Sequence, residues 1–275
     1  MSQNPEKIQH ISSKEERDAI LEYNSIDLSS LTKETICSIP FDNVSIDEAV
    51  AKIKKILDSD SKKPHHVLLL DPIKAMYFRQ KGKYHEIAQN ADMIIAAGAG
   101  LRWASRLAGK PLKERISTIA LVMDLVRLSE MKNYTLFFYG GSEGVIEKVY
   151  FNLTRHFPKI RIVGRHAGHS NPERERMVKE SMRKTSPHII FIANDHIKQE
   201  IWINSNREYF GNAVVIGVGN TLDLLSGRVK VAPDWFKTRG LIWLWKLVTQ
   251  PWKINRVLRF IQFVILAIVQ KFKKS

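Results

Sequence analysis

The chain has 275 residues, of which 44% are hydrophobic and 26% charged, a balance that excludes a disordered chain and a polytopic membrane protein. Its net charge is +15, and residues 225–275 carry eleven Lys or Arg against one acidic residue, so the excess lies mostly in the C-terminal segment. The single cysteine, Cys37, excludes an internal disulfide and favours a reducing compartment. Residues 1–18 are polar and contain no apolar signal-peptide core, which predicts a cytoplasmic protein.

The N-terminal part of the chain lacks a strong periodicity, and we predict an irregular or short helical segment over residues 1–40. A helix is expected over 47–57, where apolar residues recur at helical spacing after Ser45 or Asp47 as the N-cap. Beyond it, short apolar runs alternate with helical patterns. The six runs are His66–Leu70, Met93–Ala97, Thr135–Tyr139, Ile160–Val163, His188–Ala193 and Ala213–Gly217.

Each of these runs is about five residues long and apolar on both faces, as is typical of a buried parallel strand. Strands separated by helices predict an α/β fold, here a doubly wound, mostly parallel, six-stranded Rossmann-like sheet. We assign residues 41–225 to this core. Residues 226–275 are predicted to form an α-helical C-terminal appendage.

Ligands of open parallel sheets bind at the carboxyl ends of the strands, and short polar or glycine-rich turns follow the predicted strands. Gly140 and Gly141 open a helix after a strand. Their flexibility lets the backbone approach a phosphate or sugar, or serves the geometry of a tight turn alone. Gly217 and Gly219 follow the last strand, and Asp223 one turn later either binds a ribose or sugar hydroxyl or caps the helix.

Two further candidates, Gln199 and Glu200, lie near the start of a helix, where they either complete a cap or hold a ligand. Cys, His and Asp do not occur at metal-site spacing, and the sequence has neither a Gly-x-Ser-x-Gly elbow nor a Walker phosphate loop. No complete Gly-x-Gly-x-x-Gly fingerprint follows the first predicted strand, which argues against a dinucleotide-dependent dehydrogenase. We therefore predict no metal and no cofactor.

The C-terminal segment combines four Trp between residues 235 and 252 with a basic, apolar stretch from 253 to 274. Its uninterrupted apolar run, Phe263–Val269, is far shorter than the roughly 20 residues that span a bilayer. Lys253, Arg256 and Arg259 flank this run and suit lipid headgroups or a lipid diphosphate. The pattern favours an interfacial helix on an anionic membrane. A core helix with a solvated basic end is the alternative, and a nucleic-acid surface is disfavoured because bulky aliphatic residues do not suit one.

Several blocks, in one order, resemble the WecG/TagA/CpsF family of bacterial glycosyltransferases. They are IPFDNVSIDEAVAKI at 39–53, NADMIIAAGAGLRWASRLAGKPLKER at 90–115, FFYGGSEGVIEKVYFNL at 137–153, KQEIWI at 198–203, IGVGNTLDLLSGRVKVAPDW at 216–235 and GLIWLWKLVTQPWKINR at 240–256. The resemblance implies inverting transfer of an N-acetylmannosamine-type sugar from a UDP donor to an acceptor on a polyprenyl diphosphate. It implies an enzyme at the inner face of the plasma membrane, active in cell-surface polysaccharide or teichoic acid synthesis, and leaves a homo-oligomer open.

The resemblance also implies a donor site along the strand ends, formed by Gly98, Gly140, Gly141, Gln199, Glu200, Gly217, Gly219 and Asp223. Members of the family usually carry an Asp, thought to be the catalytic base, where this chain has Ala97. Asp71 ends the first predicted strand and is our candidate substitute base. Loss of polar site residues leaves a second hypothesis, a catalytically inactive homologue that binds a nucleotide sugar, a lipid-linked glycan or a partner enzyme.

Overall fold

The protein is described by a computed structural model over residues 20–29, 31–36, 39–80, 82–107, 109–168, 171–228, 235 and 254–273. The predictions made for Cys37, for residues 1–18 and for Lys253 concern residues outside these ranges, as do the aromatic residues between 236 and 252.

Within the described ranges, eight strands form one sheet in the order β1-β2-β4-β3-β8-β7-β5-β6. Strands β1 and β2 pair antiparallel, and all other neighbouring pairs are parallel. The strands are β1 (Lys33–Ile36), β2 (Ile39–Asp42), β3 (His65–Leu70), β4 (Met93–Ala96), β5 (Thr135–Gly140), β6 (Arg161–His166), β7 (Ile189–Ala193) and β8 (Val214–Gly217).

Helices connect the strands and cover both faces of the sheet. They are α1 (Ile46–Leu57), α2 (Pro72–Phe78), α3 (Lys83–Gln89), α4 (Ala99–Leu107), α5 (Thr118–Lys132), α6 (Glu143–His156), α7 (Pro172–Thr185), α8 (His196–Ser205), α9 (Thr221–Leu225) and α10 (Ile254–Lys273), with a 3-10 turn at Arg207–Tyr209. Ser45 is the N-cap of α1 in a reciprocal capping box with Glu48, as one of the two predicted caps.

The core lies on both sides of the sheet because alternate residues of each strand point to opposite faces. In β3, Val67 and Leu69 pack into the cluster that includes α1, α5 and α6, whereas Leu68 and Leu70 pack with α2, α3 and α4. Every residue of β3, β4, β5, β7 and β8 is buried. The predicted class, a doubly wound and mostly parallel sheet, is confirmed.

The sheet has eight strands where we predicted six. The two additional strands, β1 and β2, are four residues each, and β1 lies in the segment predicted to be irregular or helical. Pro40 interrupts the apolar pattern of β2, and proline within a sheet normally occurs only in edge strands, at the first residue of a strand or at bulges. A tertiary contact holds this hairpin in register: the buried Asp42 carboxylate accepts the Ile94 N–H at 2.9 Å and pairs with Lys52 at 2.8 Å.

The predicted helical appendage is confirmed as α10, which packs against α2 and α4. Phe263 and Ala267 are buried in the cluster that also contains Phe78 and Leu101. Among the helices of the described ranges, none has the length and apolar content needed to cross a bilayer.

Candidate functional site

The central pair of strands, β3 and β8, marks the point where the chain changes direction across the sheet. From β3 the chain passes to β4 on one side, and the strands β5 to β8 lie on the other. Loops that leave adjacent strands in opposite directions open a crevice at the carboxyl edge, which is where doubly wound folds bind ligands. We call the turns after β3, β4, β5, β7 and β8 the carboxyl rim.

Asp71 stands at the centre of this rim as the N-cap of α2. Its Oδ1 accepts the N–H groups of Ile73 at 2.8 Å and Lys74 at 2.9 Å, and Pro72 occupies the first helical position. This is the favoured start of a helix, since an N-cap carboxylate satisfies free amides and proline needs no amide partner. The Asp-Pro pair that follows β3 therefore starts a helix.

The second oxygen of Asp71 faces a histidine from a different loop. His196, the first residue of α8, has its Nδ1 3.1 Å from Asp71 Oδ2, and each side chain is 23% exposed. Burial favours the neutral carboxyl and raises the pKa of Asp71, but the hydrogen bond and charge of His196, with the charge of Lys74, outweigh it. The pKa of Asp71 therefore lies well below its ordinary value.

Gln199 joins the turns after β7 and β8. Its Oε1 accepts the N–H of Gly219 at 2.9 Å and that of Asn194 at 3.4 Å. A Cβ on Gly217 would lie 2.5 Å from Gln199 Nε2, so only glycine fits beside this side chain. Gln199 is fully buried, and its described contacts hold the backbone of the rim.

Glu200 lies beneath the rim in a buried ionic cluster with Lys74 and His66. Lys74 Nζ is 2.5 Å from Glu200 Oε1 and donates to the Leu69 carbonyl at 2.9 Å, while His66 Nε2 is 2.8 Å from Glu200 Oε2. Burial raises the pKa of Glu200, but the Lys74 charge and the His66 hydrogen bond outweigh it and lower that pKa to about 2. Glu200 is thus ionised at neutral pH and ties α8 to β3 and α2.

Ala97 and Gly98 form the turn after β4, beside Asp71. The Ala97 N–H donates to the Leu70 carbonyl at 2.7 Å, so residue 97 leaves the sheet next to Asp71. Ala97 is buried, and Gly98 has a φ of 92°, a conformation that favours glycine. The methyl group of Ala97 offers no proton acceptor, whereas Asp71 next to it offers a carboxylate.

Gly140 and Gly141 form the turn after β5, at the far half of the rim. Gly140 has a φ of 122°, and a Cβ there would lie 2.0 Å from the Ala193 carbonyl oxygen, so the geometry of the turn alone requires glycine. The turn leads into α6, whose N-cap Ser142 makes no side-chain cap bond and instead accepts Arg228 Nη1 at 3.0 Å. The free amides of this helix start and Arg228, which we call the positive edge, lie beside the Glu143 carboxylate, and that carboxylate pairs with Arg174 at 3.1 Å.

Asp223 lies half-buried in the first turn of α9. The N-cap of α9 is Asn220, so the alternative that Asp223 caps the helix is wrong. Across the described residues, no group of His, Cys, Asp or Glu could hold a metal ion.

Helix α10 lies against the rim on the side of β3 and β4. A Cβ on Gly100 would come within 2.9 Å of Phe260 and 2.6 Å of Pro72, so this helix contacts the start of α2. The Arg259 guanidinium lies 4.0 Å from the centre of the Tyr77 ring. Arg256 belongs to α10, and its side chain is outside the described set.

The outer side of α10 carries apolar residues at helical spacing. These exposed side chains, which we call the apolar row, are Leu258, Ile261, Ile265, Ile268 and Val269. One side of α10 thus packs into the core, as the alternative of a core helix predicted. The other side exposes the apolar row.

Sequence reasoning identified Asp71 but not its two partners, Lys74 and His196. The histidines of the sequence do not occur at metal-site spacing, so His196 does not stand out among them, and Lys74 looks like an ordinary helical lysine. The one local signal was that His196 follows a buried strand at the carboxyl edge, in the loop beside the predicted Gln199 and Glu200.

Polar residues gathered at the switch point of a doubly wound sheet are typical of α/β proteins that bind a ligand such as a nucleotide there. The chain belongs to the Glycosyl transferase WecG/TagA/CpsF family, whose sequence model matches residues 34–275. It is therefore a glycosyltransferase.

Three curated relatives carry the name N-acetylglucosaminyldiphosphoundecaprenol N-acetyl-beta-D-mannosaminyltransferase. The protein of Bacillus spizizenii is 32% identical over 205 residues, which cover 74% of this chain and 79% of the relative. That of Bacillus subtilis is 27% identical over 242 residues, 88% and 93% of the two chains. That of Staphylococcus aureus is 26% identical over 249 residues, 90% and 97%.

Proposed function

We propose that this chain transfers an N-acetylmannosamine-type sugar from a UDP donor to a sugar on a polyprenyl diphosphate, with inversion at the anomeric carbon. The names of the three relatives support the transferred sugar and the lipid-linked acceptor. The observation that carries the proposal is the docking of α10, with its apolar row, against the rim at Gly100 and Pro72. A polar reaction site beside an apolar helix suits an acceptor whose reactive sugar is polar and whose anchor is lipid.

The donor half of the proposal rests on the positive edge at α6. Helix N-termini bind phosphates through free amides and the helix dipole, and Arg228 adds a cationic guanidinium beside them. With Gly140 and Gly141 beneath it, this edge suits the diphosphate of UDP. Gly217 ends β8, and Gly219 and Asp223 follow it. These residues are proposed to lie near the nucleoside, and Gly98 near the transferred sugar.

Gln199 and Glu200 are proposed to serve the donor site from below. Both are buried, and their polar atoms are used by Gly219, Lys74 and His66. Their contribution to substrate binding would therefore be to hold the shape of the rim.

The membrane half of the proposal rests on the apolar row and the basic residues around it. An interfacial helix binds anionic lipid through apolar burial and cations together. Lys253, Arg256 and Arg259 are proposed to meet headgroups or the acceptor diphosphate at the inner face of the plasma membrane.

The experiment is a transfer assay with UDP-N-acetylmannosamine and N-acetylglucosaminyl-diphosphate lipid, following UDP release and the anomeric configuration of the product. We expect UDP release only with the lipid acceptor present, and an inverted linkage. UDP binding is measured separately by calorimetry. Folded protein that neither binds millimolar UDP nor releases it would contradict the proposal, whereas binding without release would favour the inactive homologue.

A further inference from the structure

Inverting transfer needs a group that takes the proton of the acceptor hydroxyl, and Asp71 is poorly suited to take it directly. Its Oδ1 already accepts two backbone N–H groups, and its Oδ2 lies 3.1 Å from His196 Nδ1. Both carboxylate oxygens are therefore already engaged by donors, which makes the carboxylate a weak proton acceptor.

His196 is better suited than Asp71 to take the proton, because one of its ring nitrogens is free of partners among the described residues. Because Asp71 is ionised and can only accept, the facing Nδ1 carries the hydrogen, and the lone pair then lies on Nε2. Within the part of the chain that the structure describes, Nε2 has no hydrogen-bond partner, and the side chain is 23% exposed at the rim. A carboxylate that orients an imidazole in this tautomer makes the other nitrogen a proton acceptor.

The ring is also fixed in place by its neighbours. The Asp195 side chain caps α8 by accepting the His196 N–H at 3.0 Å. A Cβ on Gly219 would lie 3.8 Å from His196 Cε1, so the ring lies beside the β8 turn that Gln199 holds. His196 therefore lies between the β3 and β8 turns, at the switch point of the sheet.

We propose that His196 is the general base of the transfer and that Asp71 is the positioning residue that orients it, an inference that rests on the proposed function. The acceptor hydroxyl oxygen bonds to the anomeric carbon of the donor sugar. The bond from that carbon to the phosphate oxygen breaks, and its electron pair leaves with UDP. The hydroxyl proton passes to His196 Nε2, and ionised Asp71 stabilises the imidazolium through its Nδ1–H. The pair thus replaces the carboxylate that the family resemblance leads one to expect at Ala97.

The test compares His196→Gln, His196→Ala and Asp71→Asn with the native protein. We expect His196→Gln and Asp71→Asn each to lower kcat by about 10²–10⁴-fold, with KM and UDP binding unchanged. Asparagine still caps α2 through its amide oxygen, which leaves its NH2 group facing His196. That group donates to Nδ1 instead of accepting from it, so the imidazole loses its required tautomer. The double variant should be no slower than either single one, and added imidazole should restore part of the His196→Ala rate.

His156→Gln is the matched control, because His156 ends α6 at the opposite edge of the sheet and bonds to the Asn152 carbonyl. It should keep the native rate. Nitrogen-15 NMR of histidine in the full chain gives a readout independent of activity. The native protein should show His196 protonated at Nδ1, and Asp71→Asn should move the proton to Nε2.

The outcomes separate the two levels of the proposal. A native protein that transfers no sugar overturns the proposed function. An active native protein with full activity in His196→Gln overturns only the role of His196, and loss confined to Asp71→Asn would make Asp71 itself the base. A native His196 protonated at Nε2 would overturn the assigned geometry whatever the activity.

Discussion

The backbone N–H of Ala97 donates to the carbonyl oxygen of Leu70 at 2.7 Å, so the turn after β4 leaves the sheet beside the turn that begins with Asp71. Two positions on one edge can therefore present a carboxylate to the same site. In this chain, position 97 has a methyl group and position 71 has the carboxylate.

This adjacency predicts that a carboxylate at position 97 compensates for one lost at position 71. Ala97→Asp should return part of the transfer rate to Asp71→Asn, since a positioned base contributes about 10²–10⁴-fold. In the native background, the same change should add nothing, because the proposed base, His196, still takes the proton there. Ala97→Asn is the control of equal size. Equal rates for Asp and Asn at position 97 in the Asp71→Asn protein would refute the compensation.

The buried ionic cluster of Lys74, Glu200 and His66 predicts a large loss of stability when the Glu200 carboxylate is replaced by an amide. Glu200→Gln leaves the Lys74 ammonium buried without its counterion and should lower the free energy of unfolding by about 3–5 kcal/mol. The double variant Lys74→Met, Glu200→Gln should recover part of that loss, because the unpaired charge is gone. Urea unfolding followed by circular dichroism measures both. A single variant as stable as the native protein would show that the pair is not buried.

The same cluster predicts acid sensitivity. The pKa of Glu200 is lowered from an ordinary 4.5 to about 2, so the folded state binds this proton less readily than the unfolded chain. Its contribution to stability is fully present above pH 4.5 and is lost as the pH falls from 4.5 towards 2. Urea midpoints across this range should fall more steeply for the native protein than for Glu200→Gln. Parallel curves for the two proteins would contradict the assignment.

Arg228 predicts a contribution to donor binding. Its guanidinium lies at the start of α6, 3.0 Å from Ser142, and charge-assisted contacts contribute about 1.5–3 kcal/mol. Arg228→Ala should therefore weaken UDP binding by tenfold or more, on the order of 1.4 kcal/mol per tenfold. Arg183→Ala, an exposed arginine paired with Glu180 at the end of α7, is the control. Calorimetry that finds equal affinity in both variants would remove Arg228 from the site.

The apolar row predicts membrane binding that can be tested without disturbing the fold. Truncation before α10 would uncover the core around Phe263, so point changes are preferable. Ile261 and Ile265 are 46% and 55% exposed, and full burial of such side chains contributes about 1.5–3 kcal/mol each. The double change to Gln should weaken partition into phosphatidylglycerol-containing vesicles at least about tenfold.

Gln262→Asn on the same helix is the control for that experiment, since Gln262 is exposed and polar. High salt should release the native protein only in part, because each basic residue near an anionic surface contributes about 1 kcal/mol while apolar burial is insensitive to screening. Equal pelleting of the Ile variant and the native protein would show that the row does not meet lipid.

The sequence by itself determined the class of fold and the edge that carries the candidate site. Parallel strands that are buried on both faces are apolar throughout. Because this is a local property of the sequence, it allowed five strands to be predicted: β3, β4, β5, β7 and β8. The turns after these strands could be predicted because glycine and aspartate, which favour turns, directly follow the apolar runs. The β1–β2 hairpin could not be predicted from periodicity, because each strand has four residues and Pro40 interrupts β2. Only the resemblance of residues 39–53 to the family's opening strand and helix pointed to β2. Its pairing depends on Asp42 and β4.

Only the tertiary structure decided which side chains meet. Asp71 and His196 belong to loops separated by more than a hundred residues, and they come together because β8 lies between β3 and β7. Lys74 and Glu200 are 126 residues apart, yet their contact joins α2 to α8. Periodicity reports the burial of a residue but not its partner, because strand order is a property of the whole sheet. The contact between Asp71 and His196 therefore could not be predicted before the strand order was known.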